Sequence, residues 1–399
     1  MKNISEIALK VQASTTLQVD ALYKSMKAKG IDVIGFTAGE PDFNTPENIK
    51  QAAIKAIANN HTKYTPIAGI PELRSAIADR LLEDCGISYS PNQIVAASGA
   101  KHSIYIALKA LLNPGDEVLL PAPYWVTYAE AVLMAGGVPV VLPTSQSCDF
   151  KINAEQLENA VTDKTKLLIL CNPSNPTGML YMEDELRALA EICIKHDLYI
   201  MSDEVYYQLV YDGKKFTSVA SLGEDIKERT IIINGVSKTY AMTGWRIGYS
   251  ASNLKLAEVM SNYLSHSTSA PCTISQHAAL EAFKGSQESV TAMREEFKKR
   301  RDYIVERINN MNGVSCVKPD GAFYIMLNIE ALIGRTLGGK LIKSSDDFAL
   351  AFLEDGLVAT VSCTGFGIDN YVRLTYASSM EDIKEGMDRL ERFVGGNKF

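Results

Sequence analysis

The chain has 399 residues, of which 46% are hydrophobic and 22% are charged, and its mean hydropathy is −0.02. This composition is typical of a globular protein and excludes a disordered or fibrous chain. The formal net charge is −7 and the pI is about 5.5, so the protein has no excess positive charge to attract the phosphate backbone of a nucleic acid. We therefore expect no nucleic-acid partner.

No apolar run reaches the roughly 20 residues that a membrane span needs, so no membrane partner is expected. The first twelve residues, MKNISEIALKVQ, have scattered charges and no apolar stretch before a small-residue cleavage site, which argues against a secretory signal. The seven cysteines include no C-x-x-C pair, and no histidines form an H-E-x-x-H pattern. We expect neither a disulfide framework nor a metal site, and a reducing cytoplasm is the default location.

From about residue 92, short apolar runs alternate with helix-like segments. The predicted strands cover residues 93–98, 117–120, 138–142, 166–171, 198–202 and 230–234, and the helices cover 101–112, 124–135 and 183–196. Continuous apolar strands between helices are typical of a parallel sheet that is covered on both faces. The sequence thus predicts an α/β fold, in which ligands bind beyond the carboxyl ends of the strands.

The last third of the chain predicts a smaller α/β domain. One long charged helix over residues 288–310 precedes predicted strands at 314–317, 323–327, 357–361 and 371–375 and helices at 346–354 and 379–393. We predict a large domain over residues 46–287 and a small domain formed by residues 1–45 and 288–399. The long helix is expected to join them, because the sequence has no Pro/Ser-rich linker.

Chemically distinctive residues follow the predicted strands of the large domain. Ser98-Gly99-Ala100-Lys101 opens a helix, where small residues expose backbone N–H groups that suit a phosphate, although such turns also serve packing alone. The loop N-P-S-N-P-T-G over residues 172–178 is by itself better explained as a rigid turn than as a binding site. Asp203 follows a strand, where a buried carboxylate needs a cation or donor, unless it serves as a helix N-cap.

The stretch G-V-S-K-T-Y-A-M-T-G-W-R-I-G-Y over residues 235–249 is the most informative. Gly244 and Gly248 flank Arg246, which lets the backbone approach closely while the guanidinium points at an anion. Lys238 has apolar and aromatic neighbours, which would lower its pKa and favour an imine.

This stretch resembles the lysine segment of class I aminotransferases, enzymes of fold type I that depend on pyridoxal 5'-phosphate (PLP). Further matching stretches follow the same order: G-E-P-D-F at 39–43, Y-T-P-I-A-G-I-P-E-L-R at 64–74, S-G-A-K at 98–101, P-A-P-Y-W at 121–125, N-P-S-N-P-T-G at 172–178, S-D-E-V-Y at 202–206, G-A-F-Y at 321–324 and Y-V-R-L-T-Y at 371–376. The resemblance covers nearly the whole chain and is greatest to the bacterial and archaeal branch of aspartate aminotransferases. It implies the PLP-transferase fold of type I, with a mostly parallel seven-stranded sheet covered by helices.

The resemblance also implies how the cofactor is held. Lys238 forms the Schiff base and shuttles a proton between the substrate Cα and the cofactor, and Asp203 pairs with the pyridine nitrogen. Trp125 stacks on the ring, although a core aromatic would look the same in sequence. Asn175 and Tyr206 bind the phenolic oxygen. The phosphate contacts are Gly99, Ala100, Lys101, Ser237 and Arg246.

For the substrate, the resemblance assigns the α-carboxylate to Arg373, with help from Asn175 and the backbone of Gly39. The resemblance assigns binding of the substrate's distal carboxylate to Lys101, with help from Thr16, because the segment 265–276 has no arginine for this role. Tyr64 would reach the phosphate of the neighbouring subunit's cofactor. A homodimer with shared active sites is the implied assembly.

Three further expectations come from this comparison. Gly235 stands where many relatives have a serine that helps to bind the phosphate, so one phosphate contact is in doubt. The N-terminal stretch 13–19 lacks the lysine of relatives that accept prephenate, so the functional prediction does not extend to that activity. Cis peptide bonds are predicted at Ala122–Pro123 and Asn175–Pro176.

The sequence predicts transamination of an L-amino acid with a 2-oxo acid, namely L-aspartate with 2-oxoglutarate, giving oxaloacetate and L-glutamate. An aromatic or alanine aminotransferase and a fold-type-I β-C–S lyase stay open as alternatives, since they share the same apparatus. A transcription regulator would need a basic segment ahead of Tyr23, where about twenty residues leave no room for one. A non-catalytic scaffold would be expected to lose Lys238.

Overall fold

The structure, a computed structural model, describes residues 4–5, 8–9, 11 and 15–395, and for residues 15–20 it describes the backbone alone. The predicted role of the Thr16 side chain therefore lies outside the described residues. Within the described part of the chain, no helix is both long enough and apolar enough to cross a membrane.

The strands are short and lie mostly in the middle of the chain. In order they are β1 Ile34–Gly35, β2 Ile94–Ala97, β3 Glu117–Pro121, β4 Val138–Leu142, β5 Thr165–Cys171, β6 Tyr199–Asp203, β7 Thr230–Gly235, β8 Gly248–Ala251, β9 Tyr324–Asn328, β10 Thr336–Leu337, β11 Lys340–Leu341, β12 Val358–Ala359, β13 Val361–Ser362 and β14 Tyr371–Thr375.

Helices separate most of the strands of the large sheet. In order they are α1 Thr15–Ala28, α2 Glu47–Ala58, α3 Pro71–Cys85, α4 Ala100–Leu111, α5 Thr127–Ala135, α6 Ala154–Ala160, α7 Glu183–Lys195, α8 Glu224–Arg229, α9 Val236–Thr239, α10 Leu254–Ser265, α11 Thr273–Lys284, α12 Glu288–Asn309, α13 Ser345–Glu354 and α14 Met380–Val394.

Seven strands form the large sheet, in the order β2-β8-β7-β6-β5-β3-β4. Every neighbouring pair is parallel except those of β8, which runs antiparallel to both β2 and β7. The predicted α/β fold with a mostly parallel seven-stranded sheet is therefore confirmed. The sequence did not predict β8, whose four residues, GYSA, include a glycine and a serine and lack the apolar run of the other central strands.

Both faces of this sheet are covered, which explains its unbroken apolar strands. Successive residues of β5 point to opposite sides: Leu167 packs in a cluster with α4, α5 and α10, whereas Leu168 packs in a cluster with α6 and α7. Because a strand alternates its side chains between faces, a doubly covered strand must be apolar at every position.

The second sheet is small and antiparallel, in the order β13-β14-β9, and packs with α12, α13 and α14 around a second core. The predicted strand at 357–361 is divided in two, because β12 pairs with β1 and β13 pairs with β14 on either side of Thr360. The predicted strand at 314–317 is wrong, since only Ser315 forms an isolated bridge, to Asn328. The predicted residue boundaries of the two domains stay a prediction.

The long helix α12 confirms the predicted helix at 288–310 to within one residue. Its Arg301 side chain is fully buried and donates to Pro319 O at 2.9 Å and to the Asp212 carboxylate at 2.9 Å. The guanidinium also lies 4.6 Å from the ring centroid of Tyr211. Arg301 therefore fastens the helix to the chain segments that follow β6 and precede β9.

We expect Arg301→Ala to lower the free energy of unfolding by about 3 kcal/mol, because it removes a fully buried side chain and leaves the carbonyl oxygen of Pro319 without its donor. Urea unfolding followed by fluorescence measures this. The control is Arg307→Ala on the same helix, whose more exposed partners Asp388 and Glu391 predict a loss of about 1 kcal/mol or less. Equal losses would contradict the assigned role of Arg301.

Candidate active site

A cavity of about 590 Å³ lies beyond the carboxyl ends of β5, β6 and β7, where the fold class places ligands. It collects most of the side chains that the sequence singled out. Its lining includes Gly39, Ala100, Lys101, Trp125, Asn175, Asp203, Tyr206, Ser237, Lys238, Arg246 and Arg373.

Two other predicted residues lie elsewhere. Gly99 sits directly behind Arg246, with a φ of +91°, and a Cβ built there would fall 2.5 Å from Arg246 Nη2. Only glycine permits this backbone and this close approach of the guanidinium. Tyr64, by contrast, is 99% exposed and does not line the cavity of its own chain.

Asp203 is the last residue of β6 and is only 3% exposed. Burial raises the pKa of its carboxyl to about 6, and two donors oppose that change by stabilising the charged form. Tyr128 donates its hydroxyl to Oδ2 at 2.6 Å, and the backbone N–H of Val205 donates to Oδ1 at 3.4 Å. Asp203 is thus a buried carboxylate with a fixed orientation and spare capacity for a cationic partner.

Lys238 lies in α9, the short helix that follows β7, and its Nζ donates to the carbonyl oxygen of Gly39. The pKa of this amine is lowered to about 8, mainly by burial, and the positive charges of Arg373 and Arg246 act in the same direction. The negative charges of Glu40 and Asp203 act in the opposite direction. A large fraction of the amine is therefore neutral near physiological pH, which a nucleophilic lysine requires.

Arg373 comes from the middle strand of the small sheet and is buried. It donates to Asn175 Oδ1 at 3.1 Å and to Thr37 O at 3.0 Å, while its Nε is buried without a partner among the described residues. The guanidinium carbon lies 4.5 Å from the ring centroid of Tyr324. A buried guanidinium with a spare donor suits a carboxylate ligand.

Lys101 occupies the first turn of α4, with its Nζ 4.8 Å from the ring centroid of Trp125. Burial lowers the pKa of Lys101, and the charge of Arg246 adds to this effect. A cation in the first helical turn is also disfavoured by the helix dipole. These costs argue that the position serves a ligand rather than the stability of the helix.

The sequence did not identify Tyr128 and Tyr324 as site residues. Tyr128 is the donor to Asp203, and the hydroxyl of Tyr324 lies 3.0 Å from that of Tyr206. Tyr324 belongs to the matching stretch G-A-F-Y, so its position in the site could have been predicted from the resemblance. For Tyr128 the sequence gives no such indication, because its contact depends on how α5 packs across β6.

The cis bonds predicted at Ala122–Pro123 and Asn175–Pro176 are confirmed, and a third, Asn172–Pro173, was not predicted.

The family "Aminotransferase class I and II" matches residues 31–390. The chain belongs to this family. It is an aminotransferase, and its relatives align with it along nearly their whole length.

Among these relatives, an aspartate aminotransferase from Bacillus sp. (strain YM-2) is 47% identical over 381 residues, which cover 96% of each protein. An aspartate/prephenate aminotransferase from Cereibacter sphaeroides is 45% identical, covering 99% of this chain and 100% of its own. The crystal structure of the aspartate aminotransferase from Rhizobium meliloti superposes with a TM-score of 0.96 at 38% identity, covering 99% of this chain and 100% of that one. The fold type I that the sequence predicts agrees with these neighbours.

The residues of this aminotransferase cavity fit PLP. The buried Asp203 is placed to take a pyridinium nitrogen, and Asn175, whose Oδ1 already accepts from Arg373, keeps its amide N–H groups for an oxygen. The close approach of Arg246 to Gly99, at the start of α4, forms a cationic cradle of the kind that holds a phosphate.

Replacing Tyr128 by Phe should shift the acid limb of the pH profile to higher pH. The hydroxyl lowers the pKa of Asp203, so its loss raises that pKa and leaves the carboxyl uncharged up to a higher pH. The measurement is kcat/KM against pH for Tyr128→Phe and for the control Tyr263→Phe, an exposed tyrosine of α10. We expect a shift of roughly one unit in the first variant alone. An unchanged acid limb would show that Tyr128 does not set the charge of Asp203.

Proposed function

We propose that this enzyme uses PLP to transfer the amino group of L-aspartate to 2-oxoglutarate, giving oxaloacetate and L-glutamate. The observation that carries the proposal is that one cavity holds a reactive lysine and two further cations, Arg373 and Lys101, on different elements. A dicarboxylic substrate needs two such cations. Relatives at 45–47% identity with aspartate in their names support the same substrate.

Bound PLP would supply an electrophilic carbon and a ring that withdraws electrons from the substrate Cα. Lys238 would hold it covalently, and Asp203 would keep its ring nitrogen protonated. Tyr206 and Asn175 would donate to its phenolic oxygen, while Trp125 would cover one face of the ring. Its phosphate would lie against the backbone of Gly99, Ala100 and Lys101, with Ser237 and Arg246.

Arg373 orients the substrate. Its contacts to Asn175 and Thr37 fix the plane of the guanidinium before any ligand arrives, so little conformational entropy is lost on binding. The α-carboxylate would take the donors that remain, including the free Nε. Bound in this way, the substrate would have its Cα on the side of the cavity where Lys238 lies.

Lys238 moves the proton at Cα. A general base works best when its pKa lies near the operating pH, and a value of about 8 meets that condition. The free Nζ would accept the proton from the substrate Cα and would deliver it to the cofactor carbon on the other side of the amino nitrogen. Its position beside the carbonyl oxygen of Gly39 keeps the amine pointed into the cavity.

Lys101 selects the distal carboxylate. Its flexible ammonium is a point charge that can meet both a four-carbon and a five-carbon dicarboxylate without a bidentate fit. An alanine or aromatic aminotransferase has no need for a second cation at this place, and a β-C–S lyase does not need it for its neutral substrates. The aspartate proposal accounts for Lys101, and the alternatives do not.

We further propose a homodimer with shared sites in the cytoplasm. A tyrosine that is 99% exposed is unusual for so apolar a ring, and contact with a second subunit would cover Tyr64. Its loop is held firmly, since Gln276 donates to Thr65 Oγ1 at 3.0 Å and accepts from the Ile70 N–H at 2.7 Å. Such a loop could present Tyr64 to a neighbouring cofactor.

Lys238→Ala should abolish transamination, because the variant lacks both the covalent anchor and the group that moves the Cα proton. We expect a loss of at least about a thousandfold in kcat. PLP should still bind non-covalently, which absorbance of the dialysed protein would show. Turnover near that of the wild type would refute the assignment of Lys238.

Lys101→Met tests the substrate. Removing the charge should raise KM for aspartate and 2-oxoglutarate by about tenfold or more, whereas KM for alanine should change little. The control is Lys109→Met, which removes a lysine from the last turn of the same helix, outside the cavity. If KM rose equally for every substrate, Lys101 would serve the phosphate alone. If the wild type preferred alanine or an aromatic amino acid, the aspartate proposal would fail.

A further inference from the structure

The cavity has a carboxylate that the proposed reaction leaves without a role. Among the described residues, only Glu40 and Asp203 bring carboxylates to its lining, against five lysine and arginine side chains. Asp203 is buried at the end of β6 and held by Tyr128, so it belongs to the cofactor. Glu40 is exposed and faces the open cavity.

One oxygen of Glu40 is engaged and the other is not. Oε2 accepts the Thr243 hydroxyl at 2.6 Å, which fixes the carboxylate over the loop that follows Lys238. Within the described part of the chain, Oε1 makes no hydrogen bond. A carboxylate that is oriented by one oxygen and free at the other is ready to receive a cationic donor.

Glu40 also follows directly Gly39, the residue whose carbonyl oxygen accepts from Lys238 Nζ. Glu40 is the strongest of the charges that raise the pKa of Lys238 against burial, so its carboxylate acts on the position of Nζ. The amino nitrogen of a substrate takes over the place of Nζ during transamination, and it therefore comes under the same influence.

The two substrates of the proposed reaction differ most in charge at this nitrogen. A dicarboxylic amino acid has an α-ammonium and a net charge of about −1, whereas its oxo acid has a carbonyl and a charge of about −2. A cavity rich in lysine and arginine favours the oxo acid. One carboxylate beside the nitrogen position would correct this bias.

We propose that Glu40 binds the α-ammonium of the incoming amino acid and so makes the cavity discriminate amino acids from oxo acids. The inference rests on the proposed function for the identity of the substrate, but it concerns only the ammonium. Glu40 is thus a specificity-determining residue whose effect falls on one half of the reaction cycle. It has no role in binding ligands that lack the ammonium.

The test compares two ligands that bind without turning over. 2-Methyl-L-aspartate has the ammonium but no Cα hydrogen, and succinate has two carboxylates and no ammonium. Dissociation constants for both are measured by titrating the PLP-loaded protein and following the cofactor absorbance, in the wild type, Glu40→Gln and Thr243→Ala. Glu40→Gln removes the charge and keeps an acceptor for Thr243, whereas Thr243→Ala keeps the charge and removes the hydrogen bond.

Glu40→Gln should raise the dissociation constant of 2-methyl-L-aspartate about fivefold. The dissociation constant of succinate should stay the same or fall. Thr243→Ala should leave the ratio of the two dissociation constants within about twofold of the wild type. The proposal is overturned if Glu40→Gln weakens both ligands equally, or if Thr243→Ala reproduces its effect, since Glu40 would then only tie two loops together.

Failure of the proposed function gives a different result. If wild-type protein binds neither dicarboxylate, aspartate is not the substrate, and the same titration is repeated with 2-aminoisobutyrate and isobutyrate. These two ligands differ by the ammonium alone. If Glu40→Gln weakens the binding of 2-aminoisobutyrate but not that of isobutyrate, the role of Glu40 is supported. If it weakens the binding of both equally, the role is overturned.

Discussion

The burial of the Asp203 carboxylate is the constraint on which the arrangement of this site depends. A buried charge costs several kcal/mol unless donors or cations compensate for it. Compensation by Tyr128 requires that α5 pack across the carboxyl end of β6, which also fixes the position of Trp125 just before that helix. Because β6 lies between β5 and β7, the segments after those two strands, which carry Asn175 and Lys238, begin on either side of Asp203.

A short segment from residue 37 to residue 39 sets the distance between the two main cationic groups. Arg373 comes from the small sheet and Lys238 follows a strand of the large one, yet both donate to carbonyl oxygens of this segment, at Thr37 and at Gly39. The two parts of the fold therefore meet through backbone acceptors, which no substitution of a side chain in the segment removes. Arg246 is held in the same way by the carbonyl oxygen of Thr243, at 2.9 Å.

The sequence predicted those features that depend on local pattern. Apolar runs located six of the seven strands of the large sheet, and Asp203 and Lys238 were noticed because they follow such runs. The partners of these residues were not predictable in the same way. The contact of Tyr128 with Asp203 joins positions 75 residues apart and depends on helix packing. The division at Thr360 was missed for a similar reason, since pairing with different sheets, rather than local propensity, decides where β12 ends.

The reactivity of Lys238 results from several opposing contributions rather than from one neighbour. A lysine with its ordinary pKa of about 10.4 is neutral in only about one molecule in a thousand near pH 7.4. At a pKa of about 8, which is the net result of burial, the two arginines and the two opposing carboxylates, about one molecule in five is neutral. Without Glu40 and Asp203 the pKa would fall further, and the amine would become a weaker base. The two carboxylates therefore oppose the effects of burial and of the arginines on the pKa of Lys238.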